Sequence, residues 1–199
     1  MAETKPAIQR TLMLLSGGID STLTTLILRP EGLLFVDYGQ PSRKWERLAV
    51  KKWFEYCTFA TYKHLMTVKV NILNLRGYMP LRNALLAYVG VLEALRKGFG
   101  EVVLGLVAPV TFPDTSALWL DALNELLDTE RIPVKVRAPF IGATRLDLLK
   151  VLRNIDPQAP LHDTFSCYCP KGRPCYGKEL CEKCRERHET LTYWAQLKG

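Results

Sequence analysis

Two stretches of this chain hold residue types at spacings that could do chemistry. The first is Ser16-Gly17-Gly18-Ile19-Asp20-Ser21, which follows the apolar run Thr11–Leu15 and leads into a helix-like segment from Thr22 to Leu28. A strand, a glycine-rich turn and a helix start, in that order, form a cradle for phosphate. Gly17 and Gly18 let the backbone approach an anion closely, and the helix N-terminus presents unpaired N–H groups at the positive end of its dipole. Ser16 and Ser21 add hydroxyl donors, and Asp20 can hold a Mg²⁺ shared with the phosphates. The Gly-Lys-Ser/Thr of a Walker-type loop is missing, so the cradle is of another kind. The second stretch is the tail, where Cys167, Cys169, Cys175, Cys181 and Cys184 crowd into 18 residues. Cys181 and Cys184 have the C-x₂-C spacing that lets two thiolates share one metal. Cys167 and Cys175 can complete a tetrahedral four-thiolate set, with Cys169 a competing ligand. Such a set leaves no position for water, which points to structural Zn²⁺ rather than a catalytic ion. Cys57 stands alone in an apolar segment and reads as a buried thiol, and His188 as a surface residue of the terminal helix.

The elements that must position these residues follow from periodicity. Gly32–Asp37 is short and apolar enough for a buried parallel strand and ends in the turn Tyr38-Gly39-Gln40. Ser42 to Tyr56 carries Trp45, Leu48, Ala49, Lys52 and Trp53 at helical spacing. Leu65 to Leu73 alternates and predicts a third strand, followed by a loop from Leu75 to Pro80. Asn83 to Lys97 is a helix stopped by Gly98, Glu101 to Val107 a fourth strand, Pro109 to Pro113 a loop and Ser116 to Thr129 a helix. Pro133 to Arg137 is a short fifth strand. Thr144 to Leu152 is a helix with Thr144 as N-cap and Asp147 in its first turn. Strands alternate with helices to about residue 155, which predicts an α/β fold with a doubly wound, five-stranded parallel sheet. Ligands of such sheets bind at the carboxyl ends of the strands, so Ser16–Ser21, Tyr38–Gln40, Leu81–Asn83 and Val107–Asp114 should converge on one rim. The expected organisation is a nucleotide-binding domain over 1–155 and a helical, zinc-binding subdomain over 156–199 packed upon it.

The chain of 199 residues is 48% hydrophobic, with charge interspersed throughout, as a well-buried globular domain requires. No apolar run approaches the length of a membrane span, and Met1 to Arg10 lacks the apolar core of a signal peptide, so a cytoplasmic protein is expected. The net charge of +7 is spread along the sequence rather than gathered in one tract. It suits phosphorylated and carboxylate ligands as well as RNA.

Ser16–Ser21 resembles the pyrophosphate loop of the ATP pyrophosphatases, which grip ATP and release pyrophosphate after adenylating a substrate. Around it the chain carries Asp37-Tyr38-Gly39-Gln40, Pro80-Leu81-Arg82-Asn83, Pro113-Asp114, Ser166-Cys167-Tyr168 and the run Cys175, Cys181, Cys184, Arg187. These motifs, in this order, resemble the 7-cyano-7-deazaguanine synthase family over nearly the whole chain. The resemblance implies an adenine-nucleotide alpha-hydrolase-like fold and an ATP-dependent C–N ligase of 7-deazaguanine (queuosine and archaeosine) biosynthesis. Such a ligase converts 7-carboxy-7-deazaguanine and ammonia to the nitrile, releasing AMP and pyrophosphate. It further implies ATP on Ser16, Gly17, Gly18, Asp20, Ser21, Tyr38 and Gln40, with Ser16, Asp20 and Arg82 in catalytic roles. The deazaguanine would meet Arg82, Asn83, Asp114 and Arg145, and Zn²⁺ would be held by Cys167, Cys175, Cys181 and Cys184. Asp114 would accept from a ring N–H, and the guanidinium fork of Arg82 suits phosphate or carboxylate alike. The chain departs from the family pattern in three places. Thr115-Ser116-Ala117 stands where Cys-Arg-Pro is usual, Arg145 where a lysine is typical, and five residues separate Cys175 from Cys181 where two are usual. The first two fall where the deazaguanine would bind, and they keep open a relative that passes the activated acyl group to a macromolecular amine, or a pyrophosphate-loop enzyme that modifies tRNA. A homodimer is compatible with all of these readings.

Overall fold

A computed structural model describes residues 10–69, 79–109, 112–167, 175 and 180–198. The strands β1 (Thr11–Leu14), β2 (Gly32–Asp37), β3 (Tyr62–Thr67), β4 (Glu101–Leu104) and β5 (Lys135–Arg137) form one sheet in the order β3-β2-β1-β4-β5. Every pairing is parallel, so the expected five-stranded, doubly wound α/β fold is the one that forms. The helices among the described residues are α1 (Ile19–Leu28), α2 (Arg43–Tyr56), α3 (Arg82–Lys97), α4 (Ala117–Thr129), α5 (Arg145–Ile155) and α6 (Glu182–Lys198).

Alternation along the central strands divides the core into two layers. Met13, Leu15, Leu33, Phe35 and Val103 point to one face, against Leu23 of α1, Trp53 of α2, Leu149 and Leu152 of α5 and Trp194 of α6. Leu12, Leu14, Leu34, Val36, Val102 and Leu104 point to the other, against Ala87 and Val91 of α3 and Leu123 and Leu127 of α4. All six residues of β2 are buried, as a central parallel strand covered on both faces demands. Each fully buried Leu or Phe in these layers contributes roughly 1.5–3 kcal/mol. Local signals set the helix ends: Ser116 accepts from the Trp119 N–H at the start of α4, and Thr144 and Asp147 form a reciprocal capping box at the start of α5.

One element differs from expectation. The third strand runs Tyr62–Thr67, upstream of the predicted Leu65–Leu73, of which residues 70–73 lie outside the described residues. Its polar residues disguise it. The Tyr62 hydroxyl and the His64 ring both reach the buried carboxylate of Glu93 on α3, so side chains that read as exposed are spent on an internal network. Of the predicted loops Leu75–Pro80 and Pro109–Pro113, residues 75–78 and 110–111 lie outside the described residues.

Candidate active site

Strand order reverses direction at β1, with β2 on one side and β4 on the other, and the carboxyl ends of these strands open into a cleft of about 680 Å³. This is where an open parallel sheet binds its ligands. The four segments expected to converge do so: Ser16, Gly18, Asp20 and Ser21, then Tyr38 and Gln40, Arg82 and Asn83, and Val107, Pro109 and Phe112 all line it.

The loop from β1 to α1 is shaped by its own side chains. The Ser16 and Ser21 hydroxyls are 3.0 Å apart, the Ser21 hydroxyl donates to the Gly18 carbonyl at 3.1 Å, and the Ser16 N–H donates to the Ser21 oxygen at 3.2 Å. Ser21 is therefore buried in holding the turn, while Ser16 is exposed to the cleft. Gly17 does not line the cleft. Its φ of +76° and an ideal Cβ only 3.0 Å from that of Ala49 explain why the turn needs glycine against α2. Gly18 takes the N-cap position of α1 with no side-chain cap, so the first N–H groups of that helix stay open towards the cleft. A second close approach lies opposite: a Cβ on Gly105, just after β4, would stand 2.5 Å from the Ser21 Cα.

Asp20 does not stand alone. Arg145, from the start of α5, donates to it through Nε at 2.5 Å and Nη2 at 3.0 Å, and reaches Glu186 of α6 through Nη1 at 2.9 Å. Burial opposes the charge on Arg145, but these two carboxylates outweigh it and raise its pKa. The same Glu186 oxygen pairs with Lys183 at 2.9 Å, and Lys183 also lines the cleft. A chain of charges thus runs from the loop after β1 to the cysteine-bearing tail. The tail also binds the loop through the Phe165 N–H, which donates to the Gly17 carbonyl at 2.8 Å.

The motifs holding Arg82 and Asp114 clasp one another. The Asp114 carboxylate accepts the Asn83 backbone N–H at 3.1 Å, and the Asn83 side-chain amide donates to the Asp114 carbonyl at 3.0 Å. Both residues are buried, and Asp114 is not on the cleft wall; its carboxylate caps the start of α3, where a ring N–H had been expected as its partner. The clasp fixes the N-terminal residue of α3, and Arg82 itself faces the cleft. Thr115 is on the wall, while Ser116 is spent as a helix cap. Gln40 is a brace: its side-chain oxygen accepts the Tyr38 N–H at 2.9 Å, and its amide donates to Glu46 at 2.7 Å.

In the tail, Cys167, Cys175, Cys181 and Cys184 bring four sulfurs within 4.8 Å of one another. The Cys167–Cys175 and Cys167–Cys181 separations are 3.6 and 3.9 Å. A tetrahedral ion with metal–sulfur bonds of the zinc length, about 2.3 Å, sets its sulfurs about 3.8 Å apart, whereas a disulfide needs about 2.05 Å. The donor set fits a metal ion. Burial first, then hydrogen bonds with Cys181 and Cys167, push up the pKa of Cys184, an electrostatic cost that a central cation removes. Cys169 lies outside the described residues. Arg187 braces this unit, donating to the Thr164 hydroxyl at 3.0 Å and the His162 carbonyl at 2.6 Å. His188 is exposed, as expected.

Sequence reasoning passed over Glu46, Gly105 and Lys183 as residues of the cleft. A glycine directly after a strand that ends at the ligand rim was the available signal for Gly105. Glu46 and Lys183 had none, because their facing depends on how α2 and the tail pack.

Among known proteins, the family described as queuosine biosynthesis protein QueC matches residues 74–195. The chain is 30% identical to a 7-cyano-7-deazaguanine synthase of Pyrococcus furiosus, with 92% of each chain covered. It is 29% identical to the synthase of Methanothermobacter thermautotrophicus, over 92% of this chain and 94% of the relative, and 26% identical to that of Chlorobium limicola, over 89% and 90%.

Proposed function

The chain belongs to the QueC family of queuosine biosynthesis proteins, and from that premise we propose that it is an ATP-dependent ligase making 7-cyano-7-deazaguanine from 7-carboxy-7-deazaguanine and ammonia. The observation that carries this reading is the convergence of the Ser16–Ser21 loop and Arg82 on one cleft at the carboxyl ends of β1, β2 and β4. A carboxylate is a poor electrophile and must be activated. In this reading the open N–H groups of α1 and the Ser16 hydroxyl bind the β,γ-phosphates of ATP and stabilise charge on the departing pyrophosphate. Asp20 would hold Mg²⁺ through a hard carboxylate oxygen, and the ion would supply positive charge where negative charge develops. Arg82 pairs with the substrate carboxylate or the α-phosphate through its fork. Tyr38 bounds the nucleotide side, with Gln40 holding its backbone in place. Asn83 and Asp114 act by fixing the start of α3, and so the place of Arg82. Arg145 holds Asp20 and lies on the wall where it can also meet the carboxylate. Ammonia then displaces AMP to give the amide, and a second adenylation, at the amide oxygen, permits loss of AMP to the nitrile.

The tail, over roughly 156–199, would carry one structural Zn²⁺ on Cys167, Cys175, Cys181 and Cys184. With all four positions thiolate, its contribution is to folding and to holding the loop-facing residues Phe165 and Lys183. The described residues include no helix long and apolar enough to cross a membrane, which accords with small-molecule substrates in a cytoplasmic setting.

Separation of the nucleotide products tests this reading. AMP and pyrophosphate, released only when 7-carboxy-7-deazaguanine is present, are expected. ADP and phosphate as the main products would overturn it.

A further inference from the structure

One carboxylate of the cleft has no role in the reading above. Glu46 sits near the start of α2 and lines the same cavity as Ser16, Asp20, Arg82 and Arg145. Two neutral donors hold it. The Gln40 amide donates to Oε2 at 2.7 Å, and the Ser42 hydroxyl donates to Oε1 at 2.6 Å. Gln40 is anchored in turn by the Tyr38 N–H and by the Val36 carbonyl, which its amide reaches at 3.4 Å. Of the buried acids, Asp37 and Glu93 are neutralised in contact, by Arg47 and Arg96, while Asp114 is held by the start of α3. Glu46 makes no ion pair in contact among the described residues, and Arg82 acts on it only through longer-range attraction. The carboxylate is thus fixed in orientation by one bond to each oxygen, with a lone-pair direction left on each.

The reaction proposed above, on which this inference rests, needs a proton acceptor in this place. When the ammonia nitrogen attacks the acyl adenylate, a C–N bond forms and the C–O bond to AMP breaks, the phosphate leaving with the electron pair; one N–H proton must then depart. A second leaves nitrogen when the amide oxygen attacks the α-phosphorus and pyrophosphate is displaced. The third leaves when the C–O bond to the second AMP breaks and C≡N forms. All depart from one nitrogen, bound to the carbon that Arg82 is proposed to hold. Arg82 and Glu46 share the cleft and attract one another. We propose that Glu46 is the general base that takes these protons. Desolvation in the cleft wall, where the residue is half-buried, makes it a stronger base than an exposed glutamate, with Gln40, Ser42 and Arg82 opposing that shift and Asp37 of β2 adding to it.

The test is Glu46→Gln, which keeps the size of the side chain and leaves Ser42 free to turn and accept from the new amide. Two readouts come from one preparation with Mg²⁺. ATP–pyrophosphate exchange driven by 7-carboxy-7-deazaguanine without ammonia needs adenylation but no proton from nitrogen. Nitrile formation after adding ammonium needs both. We expect exchange within about threefold of wild type and nitrile formation lowered about 10²- to 10⁴-fold, the usual contribution of a positioned base. At constant free ammonia, the acid-side fall of the wild-type pH profile should vanish from the residual rate, with Arg82, Asp20, Arg145 and Lys183 on the cleft wall and Asp37 nearby unaltered. Glu46→Asp should recover at least about tenfold over the glutamine variant, since it restores a carboxylate. Equal loss of exchange and nitrile, an unchanged nitrile rate, or no recovery by aspartate would each overturn the proposal. Wild-type protein without any exchange would instead remove the proposed function itself.

Discussion

Replacing Arg145 by alanine deletes the contacts that tie α1, α5 and α6 together beside the Ser16–Ser21 loop. Three N–H groups are lost: Nε and Nη2 on Asp20, and Nη1 on Glu186, all at 2.5–3.0 Å. The side chains are 16% exposed for Arg145, 29% for Asp20 and 25% for Glu186, so the pair lies between the exposed and fully buried limits. Exposed pairs are worth about 0–1 kcal/mol, and breaking a buried pair costs about 3–5 kcal/mol. An intermediate cost of about 1.5–3 kcal/mol follows. For a chain of this size it corresponds to a fall in Tm of about 3–12 °C. Thermal unfolding of Arg145→Ala, Glu186→Gln and the double variant is the assay, because the cycle isolates the pair. Additivity within about 0.5 kcal/mol would refute the tether between α5 and α6. Steady-state kinetics on the same variants separates a second role. If Arg145 also meets the substrate carboxylate, KM for 7-carboxy-7-deazaguanine should rise at least about 30-fold, as loss of about 2 kcal/mol or more implies. A change below about threefold would confine Arg145 to the tether.

Three further outcomes are expected. Cys181→Ser should lose the metal and lower Tm by more than about 10 °C, since structural zinc contributes roughly 10–16 kcal/mol in small zinc-finger peptides; metal analysis showing Cys169→Ser without the ion and Cys167→Ser with it would mean a different ligand set. Gly105→Ala must push the end of β4 away from the Ser21 backbone, a crowding worth about 1–3 kcal/mol, so KM for ATP should rise and Tm fall; unchanged values for both would show that the approach is slack. Burial alone would raise the pKa of Glu93, but hydrogen bonds from Arg96, Tyr62 and His64 outweigh it and bring it down to about 2. The stability it adds is therefore present above its ordinary value of 4.5 and is lost as pH falls from there to about 2. The Tm advantage of wild type over Glu93→Gln should shrink across that window, and a constant difference between neutral and acid pH would count against it.

What could be read from the sequence was what is local. The Ser16–Ser21 loop declares itself because the strand, the glycine turn and the helix start are contiguous, and the cysteine cluster because C-x₂-C spacing is itself a geometric statement. The parallel sheet was legible from β2, whose buried run is uninterrupted. Contacts between distant segments were not. Arg145 meets Asp20 across 125 residues of sequence, and Asp114 meets Asn83 across 31. Asp114 read as a ligand contact because nothing local announces the clasp with α3. Glu46 went unremarked, since only the rotation of α2 turns it into the cleft. The third strand was misplaced because Tyr62 and His64 find their partner in Glu93, on a helix that follows later.

Mass spectrometry of a reaction containing the protein, 7-carboxy-7-deazaguanine, ATP, Mg²⁺ and ¹⁵N-ammonium tests the proposed function most directly. The expected product is 7-cyano-7-deazaguanine carrying a single ¹⁵N, formed together with AMP and pyrophosphate. Unchanged 7-carboxy-7-deazaguanine, or label found only in another amine acceptor, would contradict it.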